Sequence, residues 1–65
     1  MKVSELEELG FKKFNNGLEF KLNNELCLEI WEDEPYINLS INGEITELRN
    51  VNTIEKVKQL IELLK

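Results

Sequence analysis

Between Lys21 and Arg49 the chain has no basic residue and seven acidic ones: Glu25, Glu29, Glu32, Asp33, Glu34, Glu44 and Glu47. The same stretch holds the only tryptophan, Trp31, and the only tyrosine, Tyr36. They stand on either side of the acidic turn Glu32-Asp33-Glu34-Pro35. Trp and Tyr are favoured anchors of protein interfaces, so these residue types at this spacing suit the recognition of another protein. They suit nucleic acid poorly, because a phosphate backbone asks for a basic stripe. Outside the termini and the last helix, only Lys12, Lys13, Lys21 and Arg49 are basic. An acidic surface can also imitate a phosphate backbone and occupy a nucleic-acid-binding protein, and the sequence permits that.

Other chemistries find less support. Clustered carboxylates bind Ca²⁺ when ligands alternate around a central glycine, and Glu32-Asp33-Glu34-Pro35 has neither feature. Cys27 is the only cysteine and there is no histidine, so nothing activates the thiol and no zinc set can be assembled. Cys27 reads as a small, buried or half-buried apolar residue. Glu19 and Glu29 are placed to face each other across two strands. Acid–base catalysis by such a pair needs a pocket and one raised pKa, whereas Lys13 and water would screen an open sheet face. Gly10, Gly17 and Gly43 sit singly at turn or cap positions, and no phosphate loop is formed. The expectation is a protein that is not an enzyme and carries no cofactor and no metal.

The elements that must position these residues are legible in the pattern. Ser4-Glu5-Leu6-Glu7 predicts a capping box that opens a short helix, with Leu6 and Leu9 on its apolar edge and Gly10 as its stop. Sheet pattern begins at Phe11. Asn15-Asn16-Gly17, Asn23-Asn24 and Asn42-Gly43 are turn signals. Leu18, Phe20 and Leu22, then Leu26, Leu28 and Ile30, then Ile37, Leu39 and Ile41 alternate with polar residues, as half-buried strands do. Glu44 to Arg49 is a further strand with poorer phase. Its Ile45 and Leu48 are three apart, which predicts a bulge or an early end.

Register tests the scheme. A loop over residues 23–25 sets Leu22 opposite Leu26, Phe20 opposite Leu28 and Leu18 opposite Ile30. A loop over residues 32–35 sets Trp31 opposite Tyr36, Ile30 opposite Ile37, Leu28 opposite Leu39 and Leu26 opposite Ile41. A three-residue loop over 15–17 sets Phe14 opposite Leu18. The large aliphatic residues then share one face, and a slip of one residue would expose them all. The other face carries Phe11, Lys13, Glu19, Lys21, Cys27, Glu29, Trp31, Tyr36, Asn38 and Ser40. Ile54, Val57, Leu60, Ile61 and Leu64 form the stripe of an amphipathic C-terminal helix. Asn52 or Thr53 caps it, and Asn52 makes the better capping box with Glu55.

The fold class is therefore α+β. A two-layer domain is predicted: an antiparallel β-meander of four to five strands, covered on one face by the C-terminal helix, with a short N-terminal helix beside it. Sixty-five residues make a single domain, 1–65. A chain of this size buries only about 60 % of the surface its unfolded form exposes, and no disulfide staples it. Dense packing or self-association must compensate. Met1 leads directly into a polar segment, and no apolar run has signal-peptide or transmembrane character. With a lone thiol, that predicts a cytoplasmic protein with no membrane partner. The net charge of −5 favours solubility.

The abundance of Asn, Lys, Glu, Ile and Leu, the short reading frame and the ending Leu48-Arg49-Asn50-Val51-Asn52-Thr53-Ile54-Glu55-Lys56-Val57 resemble small accessory proteins of phages and prophages of AT-rich bacteria. The resemblance implies action by binding another protein, in some cases a host defence component or nuclease, in the bacterial host cytoplasm. It transfers no binding residue. The expected function is a small acidic protein-binding module, of phage-inhibitor or accessory type. The candidate partner-binding residues are Glu29, Trp31, Glu32, Asp33, Glu34, Tyr36 and Asn38. One alternative is a homo-oligomeric structural or regulatory domain with no separate partner, a homodimer for example, that uses the same face or an edge strand. Another is a small ligand held between subunits. A purely structural reading also stands: a cross-strand Trp31–Tyr36 pair that stabilises its hairpin by roughly 0.2–1 kcal/mol.

Overall fold

The computed structural model describes residues 1–65. Helix α1 spans Val3–Leu9 and stops at Gly10, whose φ of 114° is open to glycine at little cost. The Gly10 and Phe11 amides bond back to the Glu7 and Leu6 carbonyls, which closes the last turn. The predicted cap at Ser4 is not formed. Lys2 is the N-cap residue and no side chain caps the helix. The helix starts two residues early, so Ser4 lies inside the first turn and lacks the extended backbone that a capping side chain needs.

Five strands follow: β1 Lys12–Phe14, β2 Gly17–Lys21, β3 Leu26–Trp31, β4 Ile37–Ile41 and β5 Glu44–Leu48. They form one antiparallel meander in chain order. The central register is as the alternation predicts: Leu18 pairs with Ile30, Phe20 with Leu28, Leu28 with Leu39 and Leu26 with Ile41. The Leu22 amide bonds the Leu26 carbonyl at 2.9 Å. Asn23 Oδ1 accepts from the amides of Glu25 and Leu26 and pins the loop between them.

Two strand predictions are corrected. The first hairpin turns on two residues, Asn15 and Asn16, with Asn15 at φ 46°. Phe14 therefore pairs with Gly17, and Lys13 with Leu18. That one-residue shift moves Phe14 to the outer face and takes Lys13 off it. Phe11 is not on the outer face either. It precedes β1, is held by its bond to α1, and lies buried with its ring 5.4 Å from that of Phe20. In β5 there is no bulge. Asn42-Gly43, both at positive φ, makes a tight turn, and five successive pairs run from Ile41–Glu44 to Ile37–Leu48. Ile45 consequently points outward and is 55 % exposed.

Helix α2, Ile54–Leu64, is capped by Thr53, whose hydroxyl accepts the Lys56 amide at 3.3 Å. Asn52 is not the cap, because the helix starts one residue later than the Asn52–Glu55 box requires. Val57 and Ile61 of α2 and Leu6 of α1 are buried against Leu18, Leu28, Ile30 and Ile37 of the sheet. Both helices thus cover the same face, and the opposite face of the sheet carries no helix. No helix is long and apolar enough to cross a membrane.

Candidate functional site

The uncovered face is organised by register into three rows. The first is Phe14, Gly17 and Trp31. The second crosses all five strands: Lys12, Glu19, Glu29, Asn38 and Glu47. The third is Lys21, Cys27, Ser40 and Ile45.

In the first row Gly17 has no side chain, so the rings on either side meet over it. The Phe14 and Trp31 centroids are 5.6 Å apart with planes tilted by 48°, within the favoured range for aromatic pairs. A Cβ on Gly17 would fall on the Ile30 carbonyl oxygen. The predicted pairing of Trp31 with Tyr36 is not part of the ladder, whose last β3–β4 pair is Glu29 with Asn38. The end of β3 is drawn the other way, since the Glu32 amide bonds the Asn16 carbonyl in the first turn at 2.9 Å. Trp31 therefore belongs with Phe14, and Tyr36 is directed toward β5.

Tyr36 joins a chain of polar contacts over the β4–β5 half. Its hydroxyl lies 3.1 Å from Glu34 Oε2 and 3.0 Å from Glu47 Oε2. A phenol has one proton to give, so the two carboxylates compete for it. Each has a second donor. Asn38 Nδ2 donates to Glu34 Oε1 at 3.1 Å, and Arg49 donates through Nε and Nη2 to Glu47 Oε1 at 3.3 and 3.1 Å. The Arg49 guanidinium carbon also sits 5.7 Å from the Tyr36 ring centroid, at cation–π distance. Asn38 is only 2 % exposed although it lies on the uncovered face.

The electrostatics follow from these contacts. Burial, and then the bonds to Glu47 and Glu34, push the Tyr36 hydroxyl up to about 12. The Tyr36 and Arg49 bonds hold Glu47 below the usual carboxylate range. Glu47, by bond and by charge, raises Arg49 further. At neutral pH the network is a neutral phenol, a fixed guanidinium and an ionised Glu47.

The β2–β3 half has no such compensation. Glu19, Cys27 and Glu29 each bring one donor atom to within 4.8 Å of the others. Burial, then the neighbouring Glu19, raises the pKa of Glu29. Its Oε1 is shielded from solvent and has no hydrogen-bond partner in the protein. Burial, then Glu19 and Glu29, also raises the Cys27 thiol, which lies 3.9 Å from Glu19 Oε2. A thiol held in its protonated form is a poor nucleophile and a poor metal ligand.

The predicted site residues therefore fall into three groups. Asn38, Glu34 and Tyr36 are joined directly. Glu29 and Trp31 share the face with them, in adjoining rows. Glu32 and Asp33 are exposed in the turn and make no side-chain hydrogen bond, whereas Glu34 folds back onto the sheet. Phe14, Glu19, Glu47 and Arg49 complete the face and were not among the predicted site residues. The signal for Glu47 was the Asn42-Gly43 turn, which fixes Asn38 opposite Glu47 once it is read as a two-residue hairpin.

Comparison with known protein families, with curated proteins and with solved structures gives no match for this chain.

Proposed function

We propose that this chain is a small acidic protein-binding module that acts through the uncovered face of its sheet. The reading rests on one observation: two helices seal one face, while the other presents the Phe14–Trp31 pair beside a row of carboxylates held by Tyr36, Asn38 and Arg49. A Trp on a rigid sheet contributes contact area at low entropic cost, and polar groups around it select the partner. The face offers charge and apolar surface rather than a nucleophile. A binding role of phage-inhibitor or accessory type, exercised in the cytoplasm, accords with this chemistry. The test is affinity capture from a host lysate with the wild type and with the double variant Trp31→Ala/Tyr36→Ala, the fold of the variant being checked by thermal melting. A protein retained only by the wild type supports the proposal. Equal retention by a folded variant removes it.

A homodimer is a second reading, favoured by β5. This edge strand is exposed from Glu44 to Glu47 and carries the outward Ile45, and unpaired edges favour strand addition. Light scattering over a concentration series decides. A monomer at all concentrations excludes self-association.

A further inference from the structure

We infer that Asn42 is a site of spontaneous covalent modification: its side-chain amide closes onto the Gly43 main-chain nitrogen, and solvent water opens the imide to aspartate or isoaspartate. The inference is independent of the protein-binding reading. Of the eight asparagines, two precede a glycine, Asn16 and Asn42. In the other six the next residue has a side chain, which crowds ring closure.

The fold treats the two Asn-Gly pairs in opposite ways. Gly17 is the first residue of β2 and closes a two-residue turn against Phe14, so its N–H belongs to the ladder. The peptide before it is held as well, since the Asn16 carbonyl accepts the Glu32 amide at 2.9 Å. The Gly17 backbone also lies against the Ile30 carbonyl, with no room even for a Cβ. The Asn42–Gly43 peptide has none of these restraints. Neither the Asn42 carbonyl nor the Gly43 N–H makes a backbone hydrogen bond. Both residues are exposed, and nothing lies within 4 Å of where a Gly43 Cβ would stand. The nitrogen is free to attack, and the ring has space to form.

The reaction needs water and no other reagent. The Gly43 nitrogen bonds to Asn42 Cγ, the Cγ–Nδ2 bond breaks, and ammonia leaves with the proton of that nitrogen. Water then gives its hydroxyl to one imide carbonyl and its proton to the ring nitrogen. Opening at Cγ leaves an ordinary aspartate, and Asp-Gly suits the same turn. Opening at the main-chain carbonyl leaves isoaspartate, which carries the chain through Cγ and lengthens the turn by one methylene. Turn length fixes register. The isoaspartate form therefore loosens the pairs from Ile41–Glu44 to Ile37–Leu48 and draws Glu47 away from the Tyr36 hydroxyl. Either product is one charge more negative than the present −5.

The experiment is incubation of the full chain in mildly alkaline buffer made with heavy-oxygen water, once folded and once in urea, with peptide mapping by mass spectrometry over time. In the folded chain Asn42 should convert at least about tenfold faster than Asn16, which must wait for its hairpin to open. In urea the two rates should draw level. Each product should carry one heavy oxygen. The isoaspartate fraction, separated by ion exchange and chromatographic retention, should melt below the wild type, whereas Asn42→Asp should melt close to it. Equal rates at Asn16 and Asn42 in the folded chain, or an Asn42 that converts only in urea, would overturn the assignment. An isoaspartate fraction as stable as the wild type would overturn its effect on β5.

Discussion

Glu29 carries its charge at a cost to the fold, because one of its oxygens is covered and Glu19 lies beside it. Its pKa is raised above the ordinary 4.5, so as pH rises past that value the unfolded chain ionises first. The unfolded state then binds fewer protons than the native state, and stability falls until Glu29 has titrated in the fold. Replacing Glu29 by Gln removes the effect. The variant should melt above the wild type at pH 7 and lose that advantage below about pH 4, where a glutamate is protonated in both states. Paired melting curves at the two pH values measure this, and a variant less stable than wild type at pH 7 would refute it. Tyr36 obeys the same rule at the alkaline end. Its hydroxyl is pushed up to about 12 against about 10 in an unfolded chain. Stability should fall as pH climbs between those values, and ultraviolet titration of the single tyrosine should give a midpoint near the upper one. A midpoint near the lower one would mean that the Glu34–Tyr36–Glu47 contacts do not persist in solution.

The elements place these residues through turn length and caps more than through strand propensity. Asn15-Asn16 sets Gly17 against Trp31, and the missing side chain lets Phe14 and Trp31 touch. Gly17→Ala puts a methyl group against the Ile30 carbonyl. That strain should cost about 1–3 kcal/mol, as overpacking does, and should shift Trp31 fluorescence as the ring moves. Chemical denaturation with emission spectra tests both, and a fully stable alanine variant would contradict the close approach. At α2, Thr53→Ala should cost about 1 kcal/mol, while Asn52→Ala and Ser4→Ala, which remove no helix cap, should cost far less. The capping errors have one physical source. Ser4/Glu7 and Asn52/Glu55 both satisfy the spacing of a capping box, but which residue takes extended backbone is decided by where Leu6 and Val57 must point to reach the core. Aliphatic periodicity, by contrast, was legible. Leu18, Phe20, Leu26, Leu28 and Leu39 pair as their alternation requires, since any slip would expose them all.

At the scale of the whole molecule, both helices were assigned correctly to the aliphatic face of a meander, because only that face needs cover. The opposite face was legible in part. Alternation gave Glu29, Trp31, Asn38 and Tyr36, but turn length decided that Phe14 joins them and Lys13 does not, and the bond to α1 holds Phe11 away. Of the long-range partners of Tyr36, only Glu47 had a signal, the Asn42-Gly43 turn. Glu47 and Arg49 come to it across β4 and β5, and Glu34 folds back from a turn that composition marks only as polar. The acidic stretch is therefore two surfaces, a cross-linked half around Tyr36 and an uncompensated half around Glu29, with the exposed Glu32 and Asp33 at their border. On the proposed reading this face, and not the helical one, makes the contact. The most direct measurement is the affinity of a captured partner for the wild type, for Trp31→Ala/Tyr36→Ala, and for Leu63→Ser on the exposed side of α2, where Leu63 is 82 % exposed. The double variant should bind at least about thirtyfold more weakly, the loss of one interface hot spot, while Leu63→Ser binds as the wild type does. A folded double variant at wild-type affinity, or a loss confined to Leu63→Ser, would contradict the account.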